Sequence, residues 1–105
     1  MIGLPLTRRF TLPRLTNYIK GIDYYDCARL VEAGESIVVN LYPEGVFEII
    51  FQLHSPVWQQ QNDSGWVVRH DAFIGGLFKG YYQIKVTAAT RLLCIRFAVG
   101  MAKYF

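Results

Sequence analysis

The chain has few residues able to do chemistry, and their spacing narrows what it can do. His54 and His70 are the only histidines, and they do not form an H-x-H pair. Together with Glu48 they lack metal-ligand spacing, so no metal site is expected. Cys27 and Cys94 lie far apart and match no C-x-x-C pattern. They are expected to be buried, reduced thiols, which points to a cytoplasmic setting. Ser36, Ser55 and Ser64 fall at turns, none within a G-x-S-x-G elbow. The glycines of "FIGGLFKG" fit neither phosphate-binding pattern and are assigned to turn geometry. No catalytic residue, metal or cofactor is therefore expected, and the chain is not expected to be an enzyme.

One segment stands apart. In "VFEIIFQL" a carboxylate, Glu48, and an amide, Gln52, interrupt an otherwise apolar strand. Alternate side chains of a strand point to opposite faces. Phe47, Ile49, Phe51 and Leu53 thus form one face, expected to be a dry core. Val46, Glu48, Ile50 and Gln52 form the other. That second face mixes apolar and polar members, which is how a ligand pocket is lined. A half-solvated outer face has the same pattern, and periodicity alone leaves both open. "SIVVNLY" repeats the theme, with Ile37, Val39 and Leu41 opposite Val38, Asn40 and Tyr42.

The elements that must position these groups are mostly strands. Leu15, Tyr18, Ile19 and Ile22 are spaced like one face of a short N-terminal helix, started by Pro13 or Thr16 and stopped at Gly21. "YYDCARLVEA" follows as an early strand, and "AGES" is a turn relieved by Gly34. "SIVVNLY", a "PEG" turn, "VFEIIFQL", a polar loop or hairpin tip in "VWQQQNDSG" with Gln59 to Gln61 solvated, one bent or two short strands in "WVVRHDAFIG", "YYQIKVTA" and "TRLLCIRFAV" complete the series. Six or so short strands with close turn signals predict an all-β sandwich or barrel. Nothing between them is long enough for a βαβ crossover, and no internal repeat is present.

Composition sets the outer bounds. The 105 residues make one domain, 52% hydrophobic and 15% aromatic, which excludes disorder. The net charge of +3 is spread along the chain, with one basic pair in "TRRF". A nucleic-acid surface needs a clustered basic stripe, so direct nucleic-acid contact is not expected. No apolar run reaches the ~20 residues of a membrane span and no secretory signal is visible, so a soluble protein is expected.

The order of segments resembles the N-terminal domain of a subgroup of AraC-family transcriptional regulators. "LPRLTNYIKGIDYYD" is similar to that family's opening, a short helical "L-x-x-Y-I" leading into an aromatic strand. "YPEGVFEIIFQLHSP" resembles its Pro, charged residue, Gly and "E-x-I-F-x-L". "AFIGGLFKGYYQIKV" looks like its "F-x-x-G" strand, and "TRLLCIRFAVGMAKYF" is similar to "L-x-G-I-x-F-x-P-G-G". Cys94 stands where the family more often has glycine, and "FAVGMA" lacks the usual proline. The resemblance implies a cupin-like barrel (a double-stranded β-helix, or jelly roll) with a short N-terminal helix, spanning residues 1–105 as a single sensor domain. The metal-binding cupins' paired histidines are missing. No helix-turn-helix candidate lies within the chain, so DNA contact would belong to a domain beyond residue 105.

On this basis the chain is expected to be the sensory and oligomerisation half of a regulator, a homodimer taking an unidentified small-molecule effector. Tyr42, Glu48, Gln52 and Trp66 are the expected ligand-binding residues, with Arg96 as a further candidate. A desolvated Glu48 would favour a basic ligand. A Glu48–Arg96 pair that merely ties neighbouring strands competes with that assignment. Two alternatives remain beside it. One is a protein-interaction module with a filled barrel, using "FKGYYQI" and "WVVRH" as an edge or face. The other is a stand-alone cupin-type small-molecule-binding protein.

Overall fold

The computed structural model describes residues 3–41, 47–54, 57–60, 65–69, 72–75, 82–98 and 100–101. Among these, nine strands form: β1 Arg8–Phe10, β2 Ile19–Asp26, β3 Ser36–Leu41, β4 Glu48–Gln52, β5 Val57–Gln60, β6 Trp66–Arg69, β7 Ala72–Gly75, β8 Tyr82–Thr87 and β9 Arg91–Phe97. They make two antiparallel sheets. One has the order β1-β2-β9-β4-β7, the other β3-β8-β5-β6. The expected mainly β architecture is present. The described strands leave both sheets open-edged.

The short N-terminal helix is replaced by a single 3-10 turn at Pro13–Leu15 and a strand starting at Ile19. Pro13 does begin the turn, as its fixed φ allows. Beyond Tyr18, however, two β-branched isoleucines, Gly21 and adjacent tyrosines all disfavour helix and suit a strand. That strand pairs with β9 from Ile19↔Phe97 to Asp26↔Arg91, with a bulge between Ile19 and Gly21. The early strand expected over "YYDCARLVEA" therefore ends at Asp26. The Asp26 carboxylate accepts from the Ala28 amide at 2.9 Å and caps a second 3-10 turn, Cys27–Arg29.

Of the two options for "VWQQQNDSG", a polar loop or a hairpin tip, the structure forms a hairpin, with its first arm starting earlier than the polar composition suggests. Gln59 and Gln60 belong to β5, which pairs with β6 from Val57↔Arg69 to Gln60↔Trp66. Cross-strand pairing there overrides the polar composition. "WVVRHDAFIG" supplies two strands, and they lie in different sheets. The "AGES" turn forms as expected, with Gly34 at φ 84° and the Glu35 amide donating to the Glu32 carbonyl at 3.0 Å. The "PEG" turn lies outside the described residues.

The core sits between the sheets. Tyr25, Ile50, Leu92 and Cys94 from the five-stranded sheet meet Val39, Leu41, Ile84 and Val86 from the four-stranded sheet, with Cys27 and Val31 closing one end. Leu4 packs against the same cluster while the Gly3 amide donates to the Asn40 carbonyl at 2.8 Å, so the N-terminal segment reaches from one sheet to the other. Leu92 is fully buried at the centre. Leu92→Ala is expected to cost about 2–5 kcal/mol, whereas Val38→Ala, on an exposed position, should cost well under about 1 kcal/mol. Urea denaturation of the two variants checks this.

Candidate functional site

The strand β4 turns the mixed face inward. Ile50 is completely buried and Glu48 is 3% exposed, while Ile49 and Phe51 are only half-buried and Leu53 is exposed. The face expected to be the dry core is therefore the outer one for Ile49, Phe51 and Leu53. Phe47 is buried, against Phe97, with ring centroids 5.2 Å apart. The reason for the reversal is register. Glu48, Ile50 and Gln52 stand opposite Arg96, Cys94 and Leu92 on β9. Those in turn stand opposite Gly21, Asp23 and Tyr25 on β2. One inward face thus runs across β2, β9 and β4.

On that face the charged residues converge. Asp23, 2% exposed, accepts from Arg9 through both oxygens: Nε at 2.7 Å and Nη2 at 3.0 Å. The pair is bidentate, the strongest geometry available to a guanidinium and a carboxylate. Arg96 Nη1 approaches the Asp23 Oδ2 at 3.8 Å from the neighbouring strand. Cys94 Sγ donates to the Glu48 Oε2 at 3.0 Å. Two buried carboxylates and the partly buried Arg96 therefore share one end of the interior, with the half-exposed Arg9 closing it from the edge strand.

The thiol and the phenol beside them hold their protons. Burial first, then the Glu48 charge and its hydrogen bond, push the Cys94 thiol far above its usual range. Burial and the Asp23 carboxylate do the same to the Tyr25 phenol. Cys27 is pushed up to about 11, mainly by burial and then by Asp26. Neither cysteine is activated as a nucleophile. Both are free thiols.

The expected binding residues divide. Glu48, Gln52 and Arg96 lie on the shared inward face, with Glu48 and Arg96 directly opposite in register. Trp66 does not join them. It follows the parity of Lys85 on the outer side of the four-stranded sheet, and the Lys85 ammonium stands 4.5 Å from its ring centroid. Tyr42 lies outside the described residues. Asp23 and Arg9 escaped the sequence reading, and Cys94 was expected as a buried thiol but not beside Glu48. Asp23 carried the same signal as Glu48, a lone carboxylate within the otherwise apolar run "GIDYY".

Surface depressions lie away from this face. One of about 530 Å³ is lined by Ala33–Ser36, Lys85 and Thr87–Ala89. Another of about 500 Å³ lies among Pro5–Thr7, Asp26 and Ala28–Leu30. Neither includes a member of the charged face. Among the described residues no group of three or more His, Cys, Asp or Glu is placed to hold a metal ion. Nor is any described helix long and apolar enough to cross a membrane.

Fold and site together define a small all-β domain of two antiparallel sheets, with charged residues gathered on the inner side of one of them. Over residues 11–105 the chain matches the family described as "Domain of unknown function (DUF6597)", and it belongs to that family. No curated protein and no solved structure matches it.

This chemistry has two measurable outcomes. Arg9→Ala leaves the buried Asp23 without its bidentate partner and should cost about 1–3 kcal/mol, measured by denaturant unfolding. The buried thiols also impose a pH dependence. In the unfolded chain Cys27 releases its proton near its ordinary value of 9.0, before the folded thiol does at about 11. Above pH 9.0 the native state then binds more protons than the unfolded state, so its stability is full below that pH and declines as pH rises toward about 11. Denaturation midpoints followed across this range should fall, and Cys27→Ala should make the fall shallower.

Proposed function

We propose that this chain is the N-terminal sensory and oligomerisation domain of an AraC-type transcriptional regulator, a cupin-like jelly roll that couples effector binding to DNA-binding domains beyond residue 105. The strand order supports the fold assignment. Setting β1 aside, the sheets β2-β9-β4-β7 and β3-β8-β5-β6 have the alternation expected of a jelly roll, in which both partners of each sheet's central pair come from distant parts of the chain. The sequence resemblance runs through the same strands.

The observation that carries the sensing role is the inward placement of Glu48 and Arg96 beside Asp23. Ionisable groups on an inner face contribute little to stability compared with apolar side chains of the same size. A face that nevertheless holds two carboxylates and the Arg96 guanidinium, with Arg9 at its edge, is suited to fixing the orientation of a polar ligand. Because both charge signs are present, the preferred effector carries donors and acceptors together rather than a single positive charge. Glu48, Gln52 and Arg96 would hold it. Sensing then requires that the effector favour one conformation or one assembly over another, and a difference of about 1–3 kcal/mol is enough for a many-fold response.

The interaction-module reading has one observation in its favour, the apolar outer side of the five-stranded sheet. It is compatible with sensing, since a regulator needs both. A thermal-shift screen of small polar metabolites tests the pocket. Glu48→Gln and Arg96→Gln are each expected to weaken binding of any effector found by more than about tenfold, while Trp66→Ala leaves it unchanged. Unaltered affinity in both inner-face variants would remove the site from this face.

A further inference from the structure

The outer faces of the two sheets differ along their central strands. On the four-stranded sheet the outward positions of β3 and β8 are Ser36, Val38 and Asn40 beside Thr87, Lys85 and Gln83, and the Gln83 amide donates to the Asn40 oxygen at 3.1 Å. Along β3 and β8 that is a solvated surface, and Trp66 of β6 on the same side lies under the Lys85 ammonium. On the five-stranded sheet the outward rows are apolar between β2 and β4. Phe10, Ile22, Ile95 and Ile49 are consecutive register partners across β1, β2, β9 and β4. The adjacent row starts at Arg8 on the edge strand and runs through Tyr24, Leu93 and Phe51.

These side chains have the composition of a core without its burial. Ile22, Tyr24, Ile49, Phe51, Leu93 and Ile95 are all only half-buried. Phe10 and Leu53, at the margins, are 39% and 54% exposed. Monomeric proteins rarely leave so continuous an apolar area open to water.

We propose that this face docks on the same face of a second copy of the chain. Three observations select that occupant. Five strands about 4.8 Å apart and up to seven residues long give a face on the order of 500 Å². Two copies then bury about 1,000 Å², the level a specific interface needs. Arg8, at the β1 end of the second row, is the one charged member of these rows, and between β2 and β4 they carry no charge, so a face turned by a two-fold axis onto itself keeps like charges out of its centre. Its rim carries both signs, with Arg8 over the Phe10 ring at 4.7 Å and Arg91 paired to Asp26 at 3.7 Å. An apolar centre inside a mixed polar rim is the anatomy of an interface. Two twisted sheets stacked this way pack about 10 Å apart at roughly 30°. The inference deepens the oligomerisation part of the regulator reading and rests on it only for purpose, since the face requires cover whatever the domain senses.

Sedimentation equilibrium on the chain tests it. The wild type should be dimeric at micromolar concentration. Phe10→Lys and Leu53→Lys, at positions exposed enough to keep the fold, should raise the dissociation constant more than about tenfold each, and together give a monomer. Val38→Lys, on the solvated sheet, should leave it unchanged, and circular dichroism should be native for all four. A dimer that survives the double variant overturns the assigned face but leaves the regulator reading standing. A wild type that stays monomeric at millimolar concentration overturns self-association altogether, and assigns the face to a different partner.

Discussion

Asp23 and Glu48 are two carboxylates carried into the interior of a small domain, and the rest of the structure accommodates them. A buried charge without a partner would cost several kcal/mol, a large share of what any domain this size has to spare. Arg9 answers Asp23 from the edge strand, Arg96 reaches toward it from the central strand, and the Cys94 thiol donates to Glu48. Each contact requires β1, β2, β9 and β4 in one register. A slip of one residue in any pair would turn a carboxylate outward and an isoleucine inward. The charge pairing thus fixes the alignment that hydrophobic contact alone would leave looser.

The same alignment explains why the five-stranded sheet is inverted at one end relative to an ordinary sandwich. Once Glu48, Arg96 and Asp23 take inward positions, their neighbours along each strand must point out. Those neighbours are Ile49, Ile95 and Ile22. The remaining inward positions, Ile50, Leu92, Cys94 and Tyr25, still close the core against Val39, Leu41, Ile84 and Val86. Polarity inside and greasiness outside are two readings of one register.

Much of this was legible in the sequence. Alternation in "SIVVNLY", "VFEIIFQL" and "TRLLCIRFAV" located three strands, and the inward turn of Glu48 and Gln52 was one of two options that the pattern allowed. The other half of that inference failed at Ile49, Phe51 and Leu53, because an apolar face is assigned to the core by default when nothing reveals a second surface to cover. The helix expected at Leu15–Ile22 failed for a local reason. A spacing that fits a 3.6-residue repeat over so few positions also fits a turn followed by a strand, and pairing with β9 decided between them. The convergence of Asp23 with Arg9 was not legible, since it joins residues through a strand pairing that no local pattern announces. Trp66 was grouped with Glu48 by residue type, and its strand lies in the other sheet.

The placement of β9 also governs the order in which the molecule can assemble. It lies between β2 and β4 and hydrogen-bonds to both, although it is the ninth strand along the chain. While the ribosome is still adding residues before Arg91, β2 and β4 have no shared neighbour, and Asp23 and Glu48 wait in separate segments. Pairing of strands so distant in the chain is slow compared with the formation of local contacts. Synthesis of the last seven-residue strand is therefore the step that converts loose ribbons into a sheet, and until then the nascent chain offers unprotected edges to its surroundings.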